Sequence, residues 1–242
     1  MELNKPKYLK ILFIRKANDL FADKAEEFIL LHYPSAKIVS GTRQQTFPKE
    51  LYSWGGDIII SYLSQWIIPK EVLQKAKIAA LNFHPGPPEY PGIGCTNFAI
   101  YNQEDEFGVT CHHMNPKVDT GEIINVKRFP VFETDTVYSI TQTCYAYILS
   151  MFYEIIYLLM KGENIPSANE TWKRKPYLRK ELDNLCKLTP DMDIDEIERR
   201  IKATHYLHPW AFMQVENRVI KLTDDDIKHK TYLAYLSPQN IT

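Results

Sequence analysis

From Tyr8 to Ile14 the chain reads YLKILFI, a short apolar run of strand length. Asp19 then precedes a stretch in which apolar residues recur as far as Leu31, and Pro34 stops it, so a helix capped by the Asp19 carboxylate is expected. Ala36–Ser40 and Asp57–Leu63 (DIIISYL) predict a second and a third strand, the third almost wholly apolar and therefore buried on both faces. Pro69 sits where a helix over Lys70–Ala76 would begin, and Ala79–Phe83 predicts a fourth strand. Short strands alternating with helices indicate an α/β sandwich of three layers, a mostly parallel sheet with helices on both faces.

The pattern changes after Phe83. His84–Gly94 (HPGPPEYPGIG) is dense in Pro and Gly and reads as an ordered loop, followed by a short helix over Cys95–Tyr101. Val109–Met114 and Glu122–Val131 predict two more strands, joined by a loop over Asn115–Gly121. A long helix from Asp135 then closes the main unit near Lys161 and Gly162, so a catalytic domain over 1–162 is expected. Within it Val137–Met160 is apolar enough to compare with a membrane span. Gln142, Glu154 and several hydroxyls interrupt it, which favours a buried helix of a water-soluble domain. The remainder, 163–242, begins with a polar connector (ENIPSANETWKRKPYLRK) and continues with helices around Lys180–Cys186 and Ile194–Thr204. A hairpin over Ala211–Leu222, turning at Glu216 and Asn217, completes it. A lone hairpin is marginal in water, so its apolar Val215, Val219, Ile220 and Leu222 point to contact with the main domain or with a second copy, and a homodimer is expected.

Composition narrows the choice of partners. The formal net charge is -1 in 242 residues, so no basic surface for a nucleic acid is expected. The cysteines Cys95, Cys111, Cys144 and Cys186 form no Cys-x-x-Cys pair, which suits reduced thiols in a cytoplasmic protein. The opening residues MELNKPKYLK hold no apolar export core. Cys111 and His113 share a strand face, but no further ligands stand at zinc spacing and no metal is expected. Neither a Gly-x-Gly-x-x-Gly nor a P-loop is present.

The densest local signal is Asn82-Phe83-His84-Pro85-Gly86. Residues two apart in a strand share a face, so Asn82 and His84 project together, and Pro85 ends the ladder just beyond them. The carboxyl ends of parallel strands are where open sheets bind ligands. An amide beside an imidazole there suits acyl transfer: the amide can bond an oxyanion and the imidazole can move a proton. The same pair could equally be a strand end closed by structural hydrogen bonds. Asp119, in the loop Lys117-Val118-Asp119-Thr120-Gly121, offers a carboxylate to orient the imidazole. Aspartic-protease chemistry would need a second carboxylate from a matching half, and the chain has no internal repeat.

The run from Leu81 to Ile124 resembles the core of the folate-dependent formyltransferases: Asn-x-His-Pro, a Pro/Tyr/Gly loop, Gly-Val-Thr-x-His at Gly108–His112, and Asp-Thr-Gly at Asp119. The resemblance implies the formyltransferase fold, N10-formyltetrahydrofolate as co-substrate, and catalysis by Asn82, His84 and Asp119 without a metal. It also implies that Leu63, Trp66 and Ile68 line the folate site with the loop carrying Lys117 and Val118. The segments Pro88–Cys95, Cys111–Met114 and Ala203–Trp210 are similar to those of the short sugar-nucleotide N-formyltransferases. That implies a dTDP-linked amino-dideoxy sugar as acceptor, with dTDP-4-amino-4,6-dideoxyglucose expected and a 3-amino isomer the alternative, in surface-polysaccharide synthesis. Arg15, Lys16 and Asn18, between the first strand and a helix N-terminus, are candidates for the substrate diphosphate, and Tyr90 and Trp210 for other substrate contacts. Arg15 and its neighbours could equally form a solvated loop. The rival readings are a formyl-folate hydrolase and a non-catalytic binder of folate or nucleotide sugar.

Overall fold

The computed structural model describes residues 9–215 and 218–235; Tyr8 and the expected hairpin turn at Glu216 and Asn217 lie outside them. The chain opens with β1 (Ile11–Lys16), α1 (Leu20–His32), β2 (Lys37–Gly41), β3 (Gly56–Tyr62), α2 (Lys70–Leu73) and β4 (Ala76–His84). It continues with α3 (Cys95–Tyr101), β5 (Glu106–His113), β6 (Ile123–Pro130) and the long α4 (Val137–Lys161). The tail holds α5 (Arg179–Cys186), β7 (Lys187–Leu188), α6 (Ile194–Thr204), β8 (Phe212–Val215), β9 (Arg218–Lys221) and α7 (Asp224–Lys228). α2 ends three residues before the expected Ala76 because that alanine already pairs with Gly56 in the sheet.

β2-β1-β3-β4-β5-β6 is the order of a six-stranded sheet, parallel from β2 to β4, with β5 antiparallel to β4. The predicted mostly parallel α/β architecture is therefore the observed one. Alternation along the strands divides the core. Leu12, Ile14 and Ile59 turn to one face, where they pack with Leu51, Trp54, Ile68, Val72 and Leu73. Phe13, Tyr62 and Phe83 turn to the other, and Phe152 of α4 lies against all three at ring centroid distances of 5.7, 5.2 and 5.4 Å. α1 covers the same face: Asp19 accepts from the Phe21 and Ala22 amides as its N-cap, and Phe28 meets Phe152 and Tyr153. By length and composition α4 would also serve as a membrane span, with a mean hydropathy of 1.4. Its buried Cys144, Ile148, Met151, Phe152, Ile155, Ile156 and Leu159 recur at helical spacing, which is the stripe of a core helix.

The compact units differ from the expected division at 162. One comprises 1–91, 108–128 and 144–176; the other comprises 92–107, 129–143 and 177–242. The reason is α3, whose buried side is bonded to the tail. Asn97 Nδ2 donates to the Ala203 carbonyl at 2.8 Å, the Tyr101 hydroxyl donates to Glu196 at 2.9 Å, and Phe98 stacks on Tyr177 at 3.8 Å. In this second unit Leu188, Ile197, Ile201, Ala211, Met213, Leu222 and Tyr232 form a core of their own. β7, β8 and β9 make a three-stranded sheet, so the hairpin is not a lone ribbon and its Met213 side is covered within the unit. Val219 remains 59% exposed.

Candidate active site

The site grows from β4. Ala80 packs on the Leu12–Ile14 side of the sheet and Phe83 on the α4 side, so Asn82 and His84 share the former face by simple alternation. The antiparallel register sets Asn82 opposite His112 and His84 opposite Thr110, and directly paired residues share a face. His112, a family-pattern residue to which the sequence assigned no role, is thereby brought beside the expected pair. Thr110 Oγ1 donates to the Gly86 carbonyl at 2.8 Å and ties down the turn after His84.

Asp119 reaches this face from the loop between β5 and β6. Asn115 Oδ1 accepts from the Lys117 amide at 3.0 Å and from Thr120 Oγ1 at 2.7 Å, which winds the loop back on itself. Asp119 adopts a φ of 45°, a left-handed conformation that costs a non-glycine residue about 1 kcal/mol or more and that recurs at functional sites. Gly121 allows the loop to close on β5, since a Cβ there would lie 1.7 Å from the His113 carbonyl oxygen.

The three expected catalytic residues therefore meet, with His112 as a fourth. Asp119 is 5% exposed and His84 4%. Asp119 Oδ2 lies 3.3 Å from His84 Nδ1, and Oδ1 lies 3.2 Å from His112 Nε2 and 3.4 Å from Asn82 Nδ2. The other nitrogen of each imidazole faces a carbonyl oxygen at 2.8 Å: His84 Nε2 that of Tyr90, and His112 Nδ1 that of His113. A carbonyl only accepts, so both of these nitrogens carry hydrogen. What remains for the chemistry is the pair of nitrogens that face the carboxylate. Both lie against a buried carboxylate in a site shielded from water. On the opposite face of β5, burial pushes the Cys111 thiol up and the half-buried His113 imidazole down, which keeps both uncharged.

Sequence reading also passed over Trp172, in the polar connector. Its indole N–H donates to the Gly121 carbonyl at 2.7 Å, and its ring stands near-perpendicular to His112 at 5.0 Å and to His84 at 5.9 Å. A single tryptophan in a charged stretch has no periodic signal that would have marked it.

Residues proposed for the substrates are placed unevenly. Leu63 is buried at a φ of 51° just after β3, and Ile68 belongs to the core. Trp66 packs on Gly41, meets Phe47 at 5.8 Å and donates its N–H to the Gln45 carbonyl at 2.7 Å, with Met114 in the same cluster. Lys117 and Val118 are exposed on their loop. The side chain of Tyr90 is buried, and its carbonyl serves His84. Trp210, 39% exposed, lies in the second unit 6.2 Å from Tyr206. Asn18 is exposed at a φ of 54°. Arg15 is engaged by Asp23 and Glu26, and Lys16 by Asp19 at 2.8 Å and the Tyr145 hydroxyl at 3.2 Å. Burial works against the charge on Lys16, yet Tyr145 and Asp19 outweigh it and raise its pKa. A diphosphate would have to displace these carboxylates. Among the described residues no cluster of His, Cys, Asp and Glu is arranged to hold a metal ion.

Residues 24–150 match the family described as formyl transferase. The chain is 30% identical over 185 residues to the GDP-perosamine N-formyltransferase of Brucella melitensis biotype 1, covering 74% of this chain and 70% of that one. A sugar N-formyltransferase from a Shewanella species has the same fold at a TM-score of 0.68 with 18% identity, over 88% of this chain and 96% of that one. So does the N-formyltransferase of Helicobacter canadensis, solved with folinic acid and dTDP-3-aminofucose, at a TM-score of 0.65 with 20% identity, over 86% of this chain and 84% of that one. Together with the Asn82–His84–Asp119 cluster, these matches establish that the chain belongs to the formyl transferase family.

Proposed function

We propose that this chain N-formylates a nucleotide-linked amino-dideoxy sugar, with N10-formyltetrahydrofolate as donor and dTDP-4-amino-4,6-dideoxyglucose as the expected acceptor, in the cytoplasm and in the service of surface-polysaccharide synthesis. The observation that carries this reading is the convergence of Asn82, His84 and His112 on the buried Asp119 carboxylate in a formyl transferase chain. The acceptor class is supported by the Brucella relative, named for GDP-perosamine, and by the Helicobacter complex with its dTDP-linked amino sugar. A net charge of -1 accords with a small anionic acceptor better than with transfer RNA. Half-buried Val39, Phe47, Trp66 and Met114 edge the core on the sheet face that carries Asn82, a surface that suits the flat ring of a folate.

The folate supplies the formyl group. In the transfer, the amine nitrogen bonds to the formyl carbon, the bond from that carbon to the folate nitrogen breaks, and one proton passes from the amine to the departing nitrogen. One N–H of Asn82, exchanging its 3.4 Å contact with Asp119, is suited to bond the formyl oxygen as it gains negative charge. His84 receives the amine proton, the Asp119 carboxylate stabilises the imidazolium, and the same proton returns to the leaving nitrogen. His112 Nε2 accepts from Asn82 Nδ2 at 3.1 Å and stands 3.2 Å from the Asp119 carboxylate, which holds the amide beside the carboxylate.

A panel of dTDP- and GDP-linked 3- and 4-amino sugars, with methionyl-tRNA alongside and one formyl-folate donor, tests the proposal. Formylation of one or more of the sugars supports it. Formylation of the RNA alone, or release of formate regardless of amine, would overturn it.

A further inference from the structure

We infer that Trp172 is a positioning residue for the two imidazoles, and that the connector carrying it is a strap fastened across the site. The inference rests on reading His84 and Asp119 as the reacting pair, but its spectroscopic test does not.

The fastening is continuous. Ser167 Oγ donates to Glu122 at 2.5 Å, and the Ala168 amide donates to the Ile123 carbonyl at 2.8 Å. Trp172 Nε1 then bonds Gly121, two residues from Asp119, and the Lys173 amide bonds the Pro88 carbonyl at 3.0 Å, two residues from Tyr90. Arg128 closes the arrangement by bonding Glu170 of the strap at 2.7 Å and Glu89 of the Pro-rich loop at 3.1 and 3.3 Å. Burial opposes the Arg128 charge, but Glu89 and Glu170 outweigh it and raise its pKa. The strap thus touches both supports of His84: the loop whose Tyr90 carbonyl holds Nε2 and the loop whose Asp119 carboxylate faces Nδ1.

Between these ties the indole ring stands against both imidazoles at 72° and 87°. Perpendicular packing of this kind limits rotation about the last side-chain bond of each histidine. A histidine free to turn would exchange its carbonyl and carboxylate partners, and the nitrogen presented to the substrate would no longer be defined. Displacements of about 1 Å in such groups cost on the order of 10²-fold in rate.

The test pairs kinetics with imidazole NMR on the full chain. In the wild type, the N–H protons on His84 Nε2 and His112 Nδ1 should give slowly exchanging resonances, assigned with His84→Gln and His112→Gln. Trp172→Leu should broaden or remove both and lower kcat about ten- to a hundredfold, with KM changed less than about threefold. Trp172→Phe, which keeps a ring without the N–H, should restore both resonances and most of kcat. Unchanged resonances and kcat in Trp172→Leu would overturn the inference. If the wild type transfers no formyl group, the functional reading fails while the resonances still decide this one. Should Trp172→Leu not fold, Arg128→Met is read in the same way: resonance loss supports the strap, and unaltered resonances refute it.

Discussion

Replacing Asp119 with Asn isolates the charge at the centre of the site. The side chains are nearly isosteric, and Asn tolerates a positive φ, so the 45° backbone conformation needs no change. The carboxylate stands within 3.4 Å of His84 Nδ1, His112 Nε2 and Asn82 Nδ2. An amide offers one accepting oxygen and one N–H₂ in its place. At most one side of the group can then accept, so an imidazolium on the other side finds no acceptor and no negative charge. One hydrogen bond to a charged group contributes about 1.5–3 kcal/mol, equivalent to about 10- to 100-fold in rate if it is fully expressed in the transition state. Loss of the stabilised imidazolium, the general acid–base part of the mechanism, brings the expected fall in kcat to ~10²–10⁴. KM for both substrates should change only a few-fold, because Asp119 is buried and reaches the reaction through His84. Initial rates of formyl transfer, with melting temperature as the control for folding, measure both. A folded Asp119→Asn variant retaining more than a fifth of wild-type kcat would refute the assigned role.

Gly121→Ala should cost more than tenfold in rate and lower the melting temperature by several degrees, because its Cβ would meet the His113 carbonyl oxygen at 1.7 Å and the Asp119 loop must move; wild-type values in both assays would count against this account of the loop. Phe152→Ala should cost ~3–5 kcal/mol in urea unfolding, since the ring fills the space among Phe13, Tyr62 and Phe83, and a loss under about 1 kcal/mol would contradict that packing. Burial pushes the Cys111 thiol up and holds the Cys186 thiol up at about 11, so neither is a thiolate at pH 7; maleimide should label them only after denaturation, and rapid native labelling would disprove their burial. We propose a homodimer, with the exposed Val219 side of β9 as its contact; light scattering at micromolar concentration should give twice 28.3 kDa, and a monomer would exclude it.

Local pattern carried much of this protein. Apolar runs bounded by Pro, Gly and Asp placed β1 to β6, α1 and α4 to within a few residues, because burial and capping act over one or two turns of chain. The shared face of Asn82 and His84 follows from strand alternation alone. Their meeting with Asp119, 37 residues from Asn82, required the close approach of Gly121 to β5. The position of His112 depends on the antiparallel register of β5 against β4, a long-range pairing that its own segment does not encode. The assignment of α3 to the tail's compact unit turned on Asn97, Phe98 and Tyr101 finding partners 79 to 106 residues away. Trp172 illustrates the limit most clearly: in a polar, aperiodic segment a side chain acquires its role only when tertiary folding lays that segment across the site. Periodicity reports which face of an element is buried, and it is silent about which distant group will cover it.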